Sequence, residues 1–242
     1  MIGLIGGTGL ADFPALSSRE SGIACSRWGQ VEILKGELNG VPVVFACRHG
    51  YPPRLPPHSI NYRALIEAMA DLGVRQIYAI NAVGSIDPTL ALADLVVPDQ
   101  IIDYTWGRSH TFFDDSIHHI DFTYPFTPGL RENLIDASNV LPSGVVRPEG
   151  VYGCMQGPRL ETAAEIRRMG ADGCTVVGMT AMPEAALARE RRIDYVGISV
   201  VVNKAAGLDG ETIDLPGIAA ALETGVERAR TLITTAIGAS SA

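Results

Sequence analysis

Tyr195–Val196–Gly197–Ile198–Ser199–Val200–Val201–Val202–Asn203–Lys204 is an apolar or small-residue run that ends abruptly at a carboxamide. A strand with one wet face alternates apolar and polar residues. This run does not, so it reads as a strand covered on both faces, as in α/β proteins with a parallel sheet. Runs of the same kind recur at 2–5, 41–47, 76–80, 95–97 and 174–177. Helical patterns lie between them. Residues 61–72 set Tyr62, Leu65, Met69 and Leu72 near one face, and 161–169 space Thr162, Ala163, Ile166 and Met169 likewise. Residues 183–190 open with a proline suited to a first helical turn, and 215–237 read as a long closing helix. Strands alternating with helices predict an α/β fold, one domain over 1–242, with a mixed, largely parallel sheet flanked by helices.

The 242 residues are 47% apolar and 19% charged, which fits one well-filled α/β domain and disfavours disorder. A net charge of −8 argues against nonspecific nucleic-acid binding, which needs a basic face. Cys25, Cys47, Cys154 and Cys174 are scattered without zinc spacing and read as reduced, buried thiols. No signal-peptide pattern opens the chain and no apolar run approaches the roughly 20 residues of a membrane span, so a cytoplasmic protein is expected. The stretch 103–128 stands apart: it is rich in aromatics, His and Asp, and nearly aperiodic. A loop this long in a compact domain is usually functional or interfacial.

Three turns after strands are candidates for anion binding, because ligands of α/β sheets sit beyond the carboxyl ends of the strands. Gly6–Gly7–Thr8–Gly9 lets backbone N–H groups approach an anion and adds a hydroxyl; it is neither a P-loop nor a dinucleotide fingerprint. Arg48–His49–Gly50 offers a planar donor fork that matches phosphate. Asn81–Ala82–Val83–Gly84–Ser85 adds an amide and small residues. Farther on, Gln156–Gly157–Pro158–Arg159–Leu160–Glu161–Thr162 puts Glu161 in the first turn of a helix, either as compensation for the helix dipole or as an acceptor for a ligand N–H. In Gly178–Met179–Thr180, Met179 reads as packing, and Thr180 equally as a helix N-cap.

Taken in order, these segments resemble the trimeric purine nucleoside phosphorylases, in the methylthioadenosine phosphorylase branch. Pro56–Pro57 leading to Asn61–Tyr62–Arg63, Gly157–Pro158–Arg159, and Met182–Pro183–Glu184 complete a match over nearly the whole chain. The resemblance implies the nucleoside phosphorylase fold and attack of inorganic phosphate, a co-substrate, on C1′ of a purine nucleoside, with no metal and no organic cofactor. It implies that Thr8, Arg48, His49, Asn81, Ala82 and Thr180 hold phosphate, and that Met179 and Pro57 border the ribose. His119 matches a residue that enters the neighbouring subunit's site, which implies a homotrimer; neither nucleic acid nor membrane is expected as a partner.

Two departures from that branch bear on the substrate. The branch carries two aspartates for the aminopurine, where this chain has Asn203 and Ala205. Asn203 with Glu161 resembles the inosine and guanosine enzymes: an amide offers a donor and an acceptor to a 6-oxopurine, and a glutamate accepts from its N1–H. Those enzymes place a histidine near the 5′-hydroxyl, yet no His lies beyond His119; Leu215 and Ile218 align instead with apolar residues of the methylthio branch. A buried hydroxyl without a partner is costly, whereas a methylthio group is not. Together these predict phosphorolysis of 5′-methylthioinosine, with methylthioadenosine phosphorylase and a general inosine/guanosine enzyme as alternatives. A basic residue common after the arginine–histidine–glycine turn is replaced here by Tyr51–Pro52–Pro53–Arg54, with Arg54 or His58 as substitutes.

Overall fold

The computed structural model describes residues 1–10, 12–208 and 215–239; of the last segment, side chains are described from 217. In chain order the strands and helices are β1 (Ile2–Gly6), β2 (Ser17–Ser26), β3 (Gly29–Leu38), β4 (Val41–Cys47), α1 (Tyr62–Asp71), β5 (Gln76–Ser85), β6 (Leu95–Val96) and β7 (Gln100–Asp103). Then follow α2 (Pro128–Ala137), β8 (Val146–Arg147), β9 (Val151–Cys154), α3 (Ala163–Ala171), β10 (Val176–Gly178), α4 (Ala181–Glu190), β11 (Asp194–Lys204) and α5 (Leu215–Ala239). The sheet runs β2-β3-β4-β1-β5-β10-β9-β7, with β11 on β5 and β6, and β8 on β6. Six of the ten described pairings are parallel, so the fold is α/β with a mixed, mostly parallel sheet flanked by helices.

Both faces of the centre are covered, as the apolar runs require. On β5, Ile77 and Ala79 enter the core that holds α1 and α4, while Tyr78 and Ile80 enter the core that holds α2 and α5. Tyr195 and Val201 of β11 face the first core; Val196, Ile198, Val200 and Val202 face the second. A smaller core of Ile86, Ile166, Met169, Cys174, Val177 and Ala205 packs the chain after β11 against α3.

Two sequence expectations change here. Residues 81–85 are not a turn: β5 continues to Ser85, held by β11 on one side and antiparallel β10 on the other. Cys154 and Cys174 are buried and Cys47 is half-buried, but Cys25 is exposed on β2; none of the four is in a disulfide. No described helix is long and apolar enough to cross a membrane.

Candidate active site

The ends of β1 and β4 meet the middle of β5 at one corner. Arg48, just after β4, donates its backbone N–H to the Gly6 carbonyl at 3.0 Å, which joins it to the turn after β1. Its guanidinium lies beneath Gly7, where a Cβ would stand 2.7 Å from Nη1, so a side chain at that position is excluded. Nη1 donates to the Ile80 carbonyl of β5 at 2.6 Å. Nε and Nη2 form a two-pronged pair with Glu184 of α4 at 2.9 and 2.8 Å. Both side chains are fully buried (0% exposed), so the pair stands in a low-dielectric setting where neither charge has water. Burial alone would lower the arginine pKa; the Glu184 carboxylate outweighs it and holds the group above its ordinary value. The Tyr195 hydroxyl of β11 donates to Glu184 Oε1 at 2.7 Å, and burial, followed by Glu184, pushes that phenol well up.

Beside this pair, Thr180 Oγ1 donates to Asn81 Oδ1 at 2.9 Å. Thr180 occupies the N-cap position of α4, but its side chain makes no cap bond and is spent on Asn81. Asn81 is buried, and its Nδ2 has no hydrogen-bond partner among the described residues. His49 sits half-buried with Nδ1 2.8 Å from the Leu55 carbonyl, which assigns that nitrogen the proton. Burial lowers its pKa below 6.5, which favours the neutral ring. Thr8 is exposed at the tip of its turn, and Ala82 is half-buried in β5 opposite Val200. Thus Gly7, Arg48, Asn81 and Thr180 come together, with His49 next in chain and Thr8 at the rim.

A second corner forms at Gly157. Its φ of +63° favours glycine, and a Cβ there would stand 2.6 Å from Met179 Sδ and 3.6 Å from Pro57 Cγ. Met179, Pro57 and the Gly157 turn therefore line one place. Asn203 lies on β11 at a bulge: the register passes from Val201↔Val83 to Asn203↔Gly84, and the extra residue re-aims the side chain. Its Nδ2 donates to the Lys204 carbonyl at 2.7 Å. Lys204 turns away, its Nζ bound to the Pro88 and Leu90 carbonyls.

Glu161 is not in the first turn of α3. It precedes the N-cap Thr162, and a capping box pairs Thr162 with Glu165. Glu165, bound by Arg159 and the Thr162 N–H, is held down at about 2 and takes the helix-terminal role. Glu161 is left half-buried, with burial and then Glu165 raising its pKa. The carboxylate also accepts from its own backbone N–H and feels Arg159, both of which oppose the rise.

Of the remaining expectations, Ile218 is half-buried on α5 and packs against the second core. Leu215 starts α5, but its side chain lies outside the described residues. His119 is exposed; its neighbours Ile117 (88% exposed), Trp106 (72%) and Tyr124 (61%) bare apolar surface in the same segment. Arg54 is drawn to Glu32 at the surface, and His58 is exposed in a single turn of 3₁₀-helix.

Three residues escaped sequence reading. Glu184 had one signal, an acid inside the otherwise apolar start of α4; Tyr195 read as strand apolarity. Arg108 lies in the aperiodic segment, where pattern carries no information.

A family model described as the phosphorylase superfamily matches residues 1–238. The chain belongs to the phosphorylase superfamily. It is 44% identical over 242 residues to the "Probable S-methyl-5'-thioinosine phosphorylase" of Pseudomonas syringae pv. tomato, covering 98% of each chain. It is 44% identical over 220 residues to the 6-oxopurine nucleoside phosphorylase of Pyrococcus furiosus, covering 88% of this chain and 82% of that one. The crystal structure of a methylthioadenosine phosphorylase from an Antarctic soil metagenomic library superposes with a TM-score of 0.93 at 35% identity, over 99% of this chain and 86% of that one. The two corners of this phosphorylase occupy the carboxyl ends of its parallel strands, where ligands of α/β sheets bind.

Proposed function

We propose that this phosphorylase converts 5′-methylthioinosine and phosphate to hypoxanthine and 5-methylthioribose 1-phosphate. The observation that carries the reading is the half-buried carboxamide of Asn203 at the β11 bulge, an uncharged group able to meet O6 and N7 of an oxopurine. Glu161, released from capping by Glu165, supplies the acceptor for N1–H. Relatives bearing both the methylthioinosine and the 6-oxopurine names support the base assignment.

On this reading phosphate sits at the Gly7–Arg48–Asn81–Thr180 corner. Two guanidinium N–H groups of Arg48 stay free after Glu184 and Ile80 are served, and Asn81 Nδ2 awaits an acceptor. Thr8, His49 and Ala82 complete that set. The ribose lies toward Met179 and Pro57, and the 5′-methylthio group toward Ile218 and Leu215. The C1′–N9 bond breaks with its electron pair passing into the purine, a phosphate oxygen forms the new bond to C1′, and the purine takes up the proton that hydrogen phosphate gives up. Asn203 stabilises the charge arriving on the base, and phosphate stabilises the cationic sugar: positioning and electrostatics, without a covalent enzyme intermediate. Phosphate is the co-substrate, and the scheme uses no metal or organic cofactor.

The same reading takes 1–242 as one domain and the active form as a cytoplasmic homotrimer in which His119 reaches the neighbour's nucleoside. The bare Ile117, Trp106 and Tyr124 around it support an interface there. The test is phosphate-dependent base release from methylthioinosine, methylthioadenosine, inosine and guanosine. The highest kcat/KM is expected with methylthioinosine; a preference for inosine would overturn the 5′ assignment, and one for methylthioadenosine the base assignment.

A further inference from the structure

Arg108, in the segment between β7 and α2, spends its whole fork on neutral groups. Nη1 donates to the Met182 carbonyl at 2.5 Å, the Met179 carbonyl at 2.8 Å and the Tyr62 hydroxyl at 3.3 Å. Nη2 donates to the carbonyls of Gln156 at 2.7 Å and Met155 at 3.2 Å, and Nε to Gln156 Oε1 at 3.2 Å. No carboxylate is among these partners. The guanidinium also stands 5.6 Å from the centre of the Tyr62 ring.

These acceptors frame one place. Met155 and Gln156 lead into the Gly157 turn, and Met179 packs on Gly157 from the end of β10. Pro57 packs on it from the third side, and its carbonyl accepts from the same Tyr62 hydroxyl at 3.0 Å. Each wall of the Gly157 corner is thus one hydrogen bond from Arg108, or two by way of the Tyr62 hydroxyl. None of these bonds goes to the Gly6–Gly9 turn, Arg48 or Asn81, and Thr180 is touched only through the backbone of Met179 and Met182 on either side of it.

We propose that Arg108 is a positioning residue that acts on the nucleoside side of the site more than on the phosphate side. This rests on the reading of the Gly157–Met179–Pro57 corner as the ribose wall. Only a planar fork serves here: arginine brings five donors in fixed directions, whereas lysine brings three on a flexible stem and cannot span carbonyls from β9, β10 and α4 together. Because the segment that carries Arg108 also carries His119, its ordering and the shape of the subunit's own ribose wall are linked through this side chain.

The experiment varies methylthioinosine and phosphate separately for wild type, Arg108→Lys and Arg108→Ala. Wild-type phosphate-dependent release of hypoxanthine tests the underlying reading by itself, before any variant is compared. For Arg108→Lys, KM for the nucleoside is expected to rise about tenfold or more while KM for phosphate stays within about twofold. For Arg108→Ala, millimolar guanidinium is expected to restore part of kcat/KM, and equal ammonium none. Equal changes in both KM values, an unchanged nucleoside KM in Arg108→Lys, or no difference between guanidinium and ammonium would overturn the proposal. If Arg108→Ala does not fold, the KM comparison in Arg108→Lys decides alone.

Discussion

Replacing Asn203 by Asp exchanges one amide nitrogen for an oxygen at nearly constant volume and adds a negative charge. In the fold Nδ2 donates to the Lys204 carbonyl at 2.7 Å. After substitution two oxygens would face each other at that separation, so a hydrogen bond is lost and a repulsion takes its place. The cost to folding is about 1–3 kcal/mol, a fall of a few degrees in Tm for a chain this long. The same repulsion turns the carboxylate away from Lys204 and toward the ligand. There it accepts from the exocyclic amine of an aminopurine and opposes the carbonyl of an oxopurine. One charged hydrogen bond gained against one lost is worth about 1.5–3 kcal/mol between the two substrates, or a change of roughly 10–100-fold in relative kcat/KM. The assay is the ultraviolet change on base release from methylthioinosine and methylthioadenosine under saturating phosphate. The ratio of efficiencies is expected to move toward methylthioadenosine by that factor. A folded variant whose ratio stays within about threefold of wild type would refute the account of base choice.

Glu161→Gln is expected to cut kcat/KM for methylthioinosine by about 10–100-fold, since N1–H loses a charged acceptor. Burial raises the Glu161 pKa above 4.5, so the folded chain binds that proton more tightly than the unfolded one, and stability falls as pH rises through the window between 4.5 and the raised value. Glu161→Gln should therefore have a higher Tm than wild type at pH 7 and lose this slope; a lower Tm at pH 7 would show that burial does not dominate the Glu161 carboxylate. Glu184→Gln leaves Arg48 buried with its charge uncompensated, a loss of about 3–5 kcal/mol read by thermal unfolding. Added phosphate should raise the Tm of that variant more than that of wild type; equal shifts would place the anion elsewhere. His49 shows the opposite pH sense to Glu161. Its folded pKa lies below 6.5, so the unfolded chain binds the proton first and stability is lost as pH falls below 6.5. His49→Gln should flatten the Tm profile between pH 5 and 7, and an unchanged profile would show that another group sets it.

The central sheet was legible because burial on both faces leaves a direct trace in sequence, a run of β-branched residues without alternation. The hairpin of β2 and β3 was not, since β2 is almost wholly exposed and carries no apolar pattern. A trace of β3 existed in Val31 and Ile33 alternating with Glu32 behind Gly29, which has φ of +137°. The 81–85 stretch was misread because small residues and an amide look like a turn, and tertiary pairing on two sides makes them strand. At the site, Thr8, Arg48 and Thr180 of the proposed phosphate corner were readable from their places after β1, β4 and β10, whereas Asn81 and Ala82 lie inside β5. Their mutual bonds were not: that Thr180 serves Asn81 instead of capping α4, and that Glu165 instead of Glu161 caps α3, depend on which of two chemically competent groups lies nearer, a fact of packing that local pattern does not encode.

The Arg48–Glu184 pair explains how a buried arginine suits the proposed chemistry. A phosphate that attacks C1′ must be held in place and yet keep its negative charge for the cationic sugar forming above it. An unpaired guanidinium would hold the anion tightly while neutralising it. Here Glu184 already balances the cation, and with Ile80 it engages three of the five N–H groups, leaving two directional donors and almost no net charge. Tyr195 holds Glu184 in turn, and the fork lies under Gly7. Binding through directed donors then locates the nucleophile, and its charge remains available where the transition state develops it. The stability lost in burying two ions is offset by a site that does not need to reorganise when the bond to the purine breaks.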